Sequence, residues 1–226
     1  MSLSPLLLRP FELFRSLGDE EFDALSHHAS LCEKARREII FQKNHEVSSL
    51  GLLLEGRLQG VDMTLDGREA GLYFVDEGDF FGDLAIVDGL PSPEFIVALS
   101  PVRIIFIPAP QIRALLAASA EVARFVNLRL AKRLREALAQ RALLSLPNPL
   151  HRVCTQLTRM ILVTSSGQHI VPHAPTHQEL AIMINATRET VTRVFQQLQK
   201  SGVLKRDGDK LLIVKPESLS LLLQKE

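Results

Sequence analysis

Two arginines and a glutamate near the carboxyl end of the chain have side chains that can read nucleobases. Arg188, Glu189 and Arg193 lie within one stretch of six residues, accompanied by Thr187 and Thr190. Arginine can donate two parallel hydrogen bonds to guanine, and glutamate can accept one from the amino group of cytosine. If one face of a helix presents these side chains to solvent, we predict that it contacts base edges in DNA.

The segment around this polar cluster has the apolar spacing of two short helices. It begins at Thr176, and a break at residues 185–186 separates two apolar runs. These runs are Leu180 and Ile184, then Val191, Val194, Phe195 and Leu198. Each run places one buried stripe on a helix. The pattern predicts a helix-turn-helix over residues 176–202 whose second helix enters the major groove. An ordinary helical hairpin with a solvated polar face is the alternative.

A β-hairpin is predicted directly after these helices. Two short apolar runs, at residues 203–204 and 211–214, flank a charged turn that contains Asp207-Gly208. A hairpin in this position is a wing. Lys205, Arg206 and Lys210 lie where a wing would meet DNA phosphates.

Composition indicates a soluble globular chain with a basic carboxyl-terminal part. Of 226 residues, 46% are hydrophobic and 23% charged. Residues 147–226 hold ten Lys and Arg against six Asp and Glu, a net charge of +4, and the rest of the chain balances it at −4. No apolar run approaches the ~20 residues of a membrane span, and no signal peptide is evident. Cys32 and Cys154 are too few for a disulfide framework, which favours a cytoplasmic protein.

The first half of the chain predicts short helices followed by an antiparallel β-roll. Apolar residues and an acidic Asp19-Glu20-Glu21 segment predict helices within residues 11–32. From about residue 37 to 108, short apolar runs alternate with Gly-containing turns, as in an antiparallel barrel or roll. The expected strands are Glu38–Phe41, Leu50–Leu54, Leu58–Met63, Ala70–Phe74, Ala85–Val87, Phe95–Leu99 and Val102–Ile107.

A long helix is predicted between the roll and the basic part. After Pro110, Gly and Pro are absent until Pro147, so we expect one helix of about 33 residues, ~50 Å long. Its residues at the 4-3-4-3 spacing of a coiled-coil seam are Leu130, Leu134, Ala137, Arg141 and Leu144. The seam favours a homodimer, and packing on the roll is the alternative. Pro147 and Pro149 then mark a hinge.

This order of elements resembles the CRP/FNR superfamily, the bacterial regulators related to the cyclic-AMP receptor protein and the fumarate-nitrate reductase regulator. The resemblance covers nearly the whole chain and is most specific at residues 187–193, which are similar to the family's recognition helix. It implies that Arg188, Glu189 and Arg193 read bases, in half-sites close to TGTGA arranged as an inverted repeat. It also implies that Thr176 and Gln178 contact phosphate, and that a homodimer reorients its DNA-binding domains when an effector binds the roll.

The predicted effector site departs from the family pattern. The family's cyclic-nucleotide cassette begins Gly-Glu-Leu and ends Arg-Ser, and the arginine pairs with the cyclic phosphate. Here Gly82-Asp83-Leu84 begins the cassette, but Ser92-Pro93 closes it. The polar pair that meets adenine from the long helix is replaced by Ala137-Leu138. A buried phosphate without a bidentate cation is strongly disfavoured. We therefore name Gly82, Asp83, Leu84 and Ser92 as candidate effector contacts and predict that cyclic AMP is not the effector.

Several other effector classes stay open, and no cofactor is assigned. Two distant cysteines cannot hold an iron–sulfur cluster, which needs about four thiolates. Haem would need one or two axial ligands, for which His27, His28 and His45 are available. A small apolar effector could meet Leu72, Phe74, Phe80, Phe81 and Ile86, although these residues would equally form a packed core. Constitutive DNA binding without an effector is the remaining option.

The sequence thus predicts an α+β chain with three parts. Residues 1–110 form a cyclic-nucleotide-binding-like β-roll, 111–146 a long dimerisation helix, and 147–226 a winged helix-turn-helix. The predicted function is a homodimeric transcription regulator that binds double-stranded DNA and, if it activates, RNA polymerase. A ligand-binding signalling module without DNA binding is the alternative. An enzyme is not expected, because the chain has no Gly-x-Ser-x-Gly, P-loop or His-Glu-x-x-His motif.

Overall fold

The computed structural model describes residues 3–63 and 69–222. The chain divides into two compact units. One unit is Met1–Gly67 with Leu72–Arg135, and the other is Glu136–Glu226 with Arg68–Gly71. Every helix in the described ranges is too short or too polar to traverse a lipid bilayer.

The first unit begins with helices and continues into the β-roll. Two 3-10 turns, Pro5–Leu7 and Glu12–Phe14, precede helix α1, Asp19–His28. The Glu21 carboxylate accepts a hydrogen bond from the Gly18 amide at 2.8 Å, so the acidic segment caps the start of the predicted helix. The strands that follow are β1 Ser30–Lys34, β2 Ile39–Phe41, β3 Ser49–Glu55, β4 Leu58–Met63, β5 Glu69–Val75, β6 Phe80–Phe81, β7 Phe95–Ala98 and β8 Val102–Pro108.

The strands form two four-stranded sheets, with the order β1-β8-β3-β6 in one and β2-β7-β4-β5 in the other. The strand pairs β1–β8, β3–β8, β3–β6, β2–β7 and β4–β7 are all antiparallel. Leu53, Phe81, Ile96 and Ile104 are among the buried residues of one apolar core cluster. This arrangement confirms the predicted roll, and β1 and β6 are strands that the sequence pattern did not indicate.

The predicted strand Ala85–Val87 is wrong, because these residues lie in helix α2, Asp83–Asp88. Gly82 before the helix and Gly89 after it both have positive φ, at 86° and 73°. Glycine reaches this left-handed region without a steric cost, so the pair delimits a short helix within an apolar run.

The long helix predicted after the roll is present as α4, Ala120–Leu144, but its predicted start is wrong, because the helix is interrupted at Ser119. Helix α3 spans Ala109–Ala118, and Ser119 between α3 and α4 is extended, with φ −111° and ψ 108°. The Ser119 hydroxyl accepts a hydrogen bond from the Val122 amide at 3.3 Å, the interaction of a helix N-cap. Serine therefore starts a new helix where high helix propensity had predicted continuity.

In the residues that the structure describes, the second unit contains the end of α4, four further helices and a small sheet. Its elements are α5 Pro149–Met160, β9 Leu162–Val163, β10 His169–Val171, α6 His177–Met183, α7 Arg188–Lys200, β11 Leu204–Asp207, β12 Lys210–Ile213 and α8 Pro216–Leu222. Asn148 caps α5 by accepting a hydrogen bond from the Leu150 amide at 2.9 Å. The sheet has the order β11-β12-β10-β9. The predicted hairpin, β11 with β12, is therefore part of a four-stranded antiparallel sheet.

Candidate nucleic-acid interface

Helix α6 starts with a reciprocal cap. The Thr176 hydroxyl accepts from the Glu179 amide at 3.2 Å, and the Glu179 carboxylate accepts from the Thr176 amide at 2.8 Å. This capping box satisfies two backbone donors that a helix start leaves without partners. Thr176 and Gln178, the two residues predicted to meet phosphate, are exposed at this helix start.

The turn between α6 and α7 is held by a side chain from α5. Asn185 has a positive φ of 49°, which redirects the chain after α6. The Arg152 guanidinium donates to the carbonyl oxygens of Ile184 at 2.9 Å and Asn185 at 3.0 Å. A cation on the carbonyl end of a helix also complements the helix dipole. Arg152 was not identified from the sequence, because nothing in its own segment indicates that it reaches this turn.

Helix α7 buries one face and exposes the other, as predicted. Val191, Val194, Phe195 and Leu198 are at most 7% exposed. Arg188, Glu189 and Arg193 are exposed on the other face, so the two arginines are available to a ligand.

Two threonines at the start of α7 help to hold this helix. Thr187 is its N-cap and accepts from the Thr190 amide at 3.2 Å. The hydroxyls of Thr187 and Thr190 are also hydrogen-bonded to each other at 3.0 Å. These two candidate contacts therefore contribute to the local fold as well as to the polar face.

His177, the first residue of α6, contacts two residues of α7. Its Nδ1 lies 2.9 Å from the Thr192 hydroxyl, and its ring centroid lies 4.6 Å from that of Phe195. Thr192 donates its own proton to the Arg188 carbonyl at 2.9 Å, so His177 Nδ1–H is the donor to Thr192. Burial, with a smaller contribution from the charges of Arg206 and Arg188, lowers the pKa of His177 below 6.5.

The wing is a tight hairpin formed by β11 and β12. Asp207 pairs with Lys210, so the loop is Gly208-Asp209, and Gly208 has a positive φ of 60°. Lys205, Arg206 and Lys210 are exposed along it. The wing is tied to the segment before α6 by a hydrogen bond of 2.6 Å from the Ala174 amide to the Asp209 carbonyl. The exposed Lys and Arg side chains of the wing and the exposed polar face of α7 thus belong to the same compact unit.

The four predicted effector contacts lie in the roll, at α2 and in the loop after it. Gly82 is the N-cap of α2, and Leu84 is half-buried. Asp83 is 2% exposed. Ser92 is buried, and its hydroxyl donates to the Glu94 carbonyl at 2.7 Å. Ser92 thus turns its hydroxyl onto its own loop.

Helix α4 contributes two arginines to this part of the roll, and both are paired with carboxylates. Arg133 donates to Asp83 at 2.8 Å and to Glu94 at 3.2 Å. Arg129 forms an ion pair with Asp79 and lies 3.5 Å from Asp83. The guanidinium of Arg129 also donates to the Phe80 carbonyl at 2.5 Å.

This arrangement leaves neither α4 arginine without a carboxylate partner. A buried phosphate needs a cation that can donate two hydrogen bonds to it, and both α4 arginines already hold carboxylates. Glu94, which directly follows Ser92-Pro93, is one of these carboxylates. In the described parts of the chain, no group of three or more His, Cys, Asp and Glu side chains is arranged to hold a metal ion.

The apolar effector candidates belong largely to the core. Phe80, Phe81 and Ile86 are at most 2% exposed and lie in the two core clusters of the roll. Leu72 is 40% exposed, and Phe74 lies under the Arg57 guanidinium at 4.0 Å. Their placement favours the packed-core interpretation over an apolar effector pocket.

Comparison with known proteins identifies both units. Residues 32–119 match the family of cyclic nucleotide-binding domains, and residues 151–222 match the Crp-like helix-turn-helix domains. The chain is 24% identical over 211 residues to a CRP-like cAMP-activated global transcriptional regulator of Mycobacterium tuberculosis, covering 92% of this chain and 94% of the relative. It is 29% identical over 195 residues to the cyclic AMP receptor protein of Thermus thermophilus, covering 85% and 88%.

Solved structures share the fold. FixK2 from Bradyrhizobium japonicum superimposes with a TM-score of 0.74 at 21% identity, covering 86% of this chain and 96% of that one. A cyclic-nucleotide-binding domain followed by a DNA-binding helix-turn-helix defines a class of transcription regulators, which are not enzymes. The chain belongs to the CRP/FNR family of these regulators.

Proposed function

We propose that this regulator binds DNA as a homodimer, at inverted repeats of half-sites close to TGTGA. The observation that carries the proposal is the exposed polar face of α7, where Arg188, Glu189 and Arg193 are turned away from the buried stripe. Arginine at two positions suits the two guanines of such a half-site, and glutamate suits a cytosine. Thr176, Gln178 and Lys210 would hold the phosphates on either side.

The apolar surface of α4 supports the dimer. Two seam residues, Leu134 and Leu144, are 62% and 43% exposed in the single chain. Leucines at seam positions of one helix are covered when a second copy of that helix packs against them. Twofold symmetry of the protein would then match the twofold symmetry of an inverted repeat.

The effector of this regulator is proposed to be something other than cyclic AMP. The relative described as cAMP-activated is 24% identical to this chain, and here the charges around Asp83 and Glu94 do not suit a phosphate. Titration calorimetry with cyclic AMP and cyclic GMP is expected to show no saturable binding at micromolar concentration. Saturable micromolar heats would contradict this part of the proposal.

Partners and location follow from the same proposal. As an activator, the DNA-bound dimer would contact RNA polymerase through its surface. A DNA partner and two free thiols, Cys32 and Cys154, support a reducing cytoplasmic location.

A salt-titrated gel shift tests the DNA-binding proposal. The probe carries two inverted TGTGA half-sites whose centres are one helical turn, about 10.5 bp, apart, and the control duplex has both half-sites scrambled. The regulator is expected to prefer the probe, with affinity that falls steeply as salt increases. Equal affinity for both duplexes would remove sequence-specific recognition, and absence of binding would favour a ligand-binding module.

Two variants separate base contacts from phosphate contacts. Arg188→Ala is expected to cost roughly 1–3 kcal/mol on the probe and to relax the preference at one guanine. Lys210→Ala should weaken binding to all duplexes about equally and lower the salt slope by about one per subunit. If Arg188→Ala lowered affinity for both duplexes by the same factor, Arg188 would not be a base contact.

A further inference from the structure

Glu94 is a nearly buried carboxylate close to the site where relatives with a full cassette would hold a ligand phosphate. It is 8% exposed and follows the loop that closes the cassette. An isolated buried carboxylate is strongly disfavoured, so it requires partners. Glu94 has two: the Arg133 guanidinium at 3.2 Å and the Tyr73 hydroxyl, which donates to the same carboxylate oxygen.

Tyr73 fills the space next to this carboxylate. Burial, followed by the nearby charge of Glu94, raises the pKa of Tyr73 well above 10, so the phenol keeps its proton and acts as a donor. Its ring lies 4.1 Å from the Arg133 guanidinium. On the other side it packs so closely on Gly60 that a Cβ there would stand 2.7 Å from the ring. The glycine makes room for the tyrosine.

Arg133 connects this pair to helix α4. Burial lowers the pKa of Arg133, but the neighbouring carboxylates of Asp83 and Glu94 raise it, and the net shift is upward, so the positive charge is retained. With Arg129 and its partner Asp79, three carboxylates face two guanidiniums. The local balance of charge is therefore negative, which does not suit an anionic ligand. The ion pairs of Arg129 and Arg133 join the first half of α4 to the roll through groups of the chain itself.

We propose that the Glu94 carboxylate is a built-in anion that takes the place of an anionic effector beside Arg133 and fixes the first half of α4 to the roll. The regulator then reaches its DNA-binding form without a cyclic nucleotide. This inference rests on the proposed function, since its readout is DNA affinity. It makes a sharp prediction: removing the carboxylate creates a vacancy that a small free carboxylate can fill.

The experiment measures the affinity of the full-length protein for the TGTGA probe with and without acetate, at constant ionic strength set by chloride. The extensively dialysed wild-type protein is expected to bind the probe, with no effect of acetate or cyclic AMP. Glu94→Ala should bind about 5- to 150-fold more weakly, the usual range for coupling between two sites. Acetate should restore most of this loss.

Two further variants keep the test sharp. Glu94→Gln retains the size of the side chain and an acceptor for Tyr73 but removes the charge, so it should lose affinity and gain nothing from acetate. Glu55→Gln is the matched control, because it removes a carboxylate from an exposed ion pair with Arg103 elsewhere on the roll. It should bind as the wild type does. Wild-type affinity in Glu94→Ala, or a loss that acetate leaves unchanged, would overturn the inference.

A thermal melt distinguishes failure of the inference from failure of the proposed function. Acetate should raise the melting temperature of Glu94→Ala but of neither the wild type nor Glu94→Gln. If the wild type binds no DNA while acetate still stabilises Glu94→Ala selectively, the built-in anion stands and the DNA-binding proposal fails. If acetate has no selective effect in the melt, the built-in anion is refuted whatever the DNA result.

Discussion

Replacing Leu134 by alanine tests whether the exposed stripe of α4 is a dimer interface. The side chain is 62% exposed in the single chain. Alanine removes three carbons, each worth about 0.8 kcal/mol when buried. Scaled by the exposed fraction of Leu134, the loss of dimerisation free energy is about 1.5 kcal/mol per chain, or about 3 kcal/mol for the two copies in a dimer. That corresponds to a roughly 150-fold weaker dimer.

Leu128 provides a matched control on the same helix. It is 57% exposed, but six residues before Leu134 it lies roughly 120° away around the helix and outside the seam. Alanine is the best helix former, so neither substitution should disturb α4 itself. Leu128→Ala is therefore expected to leave the dimer unchanged.

Sedimentation equilibrium over a wide range of protein concentration measures both dissociation constants. The expected result is a large increase for Leu134→Ala and none for Leu128→Ala. DNA affinity should fall with dimer stability at low protein concentration and recover at high concentration, because two linked subunits bind the inverted repeat together. An unchanged dissociation constant for Leu134→Ala, or equal increases for both variants, would refute the seam.

Three more predictions concern the folded units. Phe195→Ala should lower the free energy of unfolding of the second unit by about 3–5 kcal/mol in urea denaturation, because it empties a buried site, and Gln196→Ala next to it should not. The pKa of His177 is lowered in the folded chain, so the stability from its neutral form is present above pH 6.5 and is lost as pH falls through the folded pKa. His177→Gln should reduce the difference between the melting temperatures measured at about pH 7.5 and about pH 5.5. An unchanged difference would show that His177 is not the source of this pH dependence. Burial raises the pKa of Cys154 to about 11, so iodoacetamide should label Cys32 alone in the native protein, with Cys154 labelled only after denaturation, as mass spectrometry can show.

The sequence was most informative where a local pattern determines the structure. Residues 176–202 contain both apolar stripes, the polar break and the caps, so the helix-turn-helix could be predicted without any distant contact. The alternation of apolar runs and turns likewise located most strands of the roll. In these segments, hydrophobic periodicity and turn chemistry agree, which is the condition for reliable prediction.

Prediction failed where a short segment has ambiguous periodicity. Three apolar residues at 85–87 fit a strand or a helical turn equally well, and the conformations of Gly82 and Gly89 decided between them. Ser119 is one polar residue in a strongly helical stretch, and only its capping geometry ends α3 there. Neither outcome follows from composition alone.

Contacts between distant residues could not be predicted either. The pairing of Glu94 with Arg133 joins positions 39 residues apart, and that of Arg152 with the Ile184 carbonyl joins positions 32 apart. Each forms only after the elements have packed, so no spacing within one segment indicates it. The absence of the family's closing arginine was visible in the sequence, but the identity of the group facing Arg133 was not.

The construction of the helix-turn-helix has a consequence for how this regulator can change over generations. Its turn is held by Arg152, its caps by Thr176, Glu179 and Thr187, and its core by the buried stripe of α7. The exposed Arg188 side chain belongs to none of these supports, so exchanging it should alter folding stability by about 0.5 kcal/mol or less. With Arg188 in its proposed role as a base contact, operator preference would therefore diverge almost independently of folding stability, and one or two substitutions would be enough to give new target promoters.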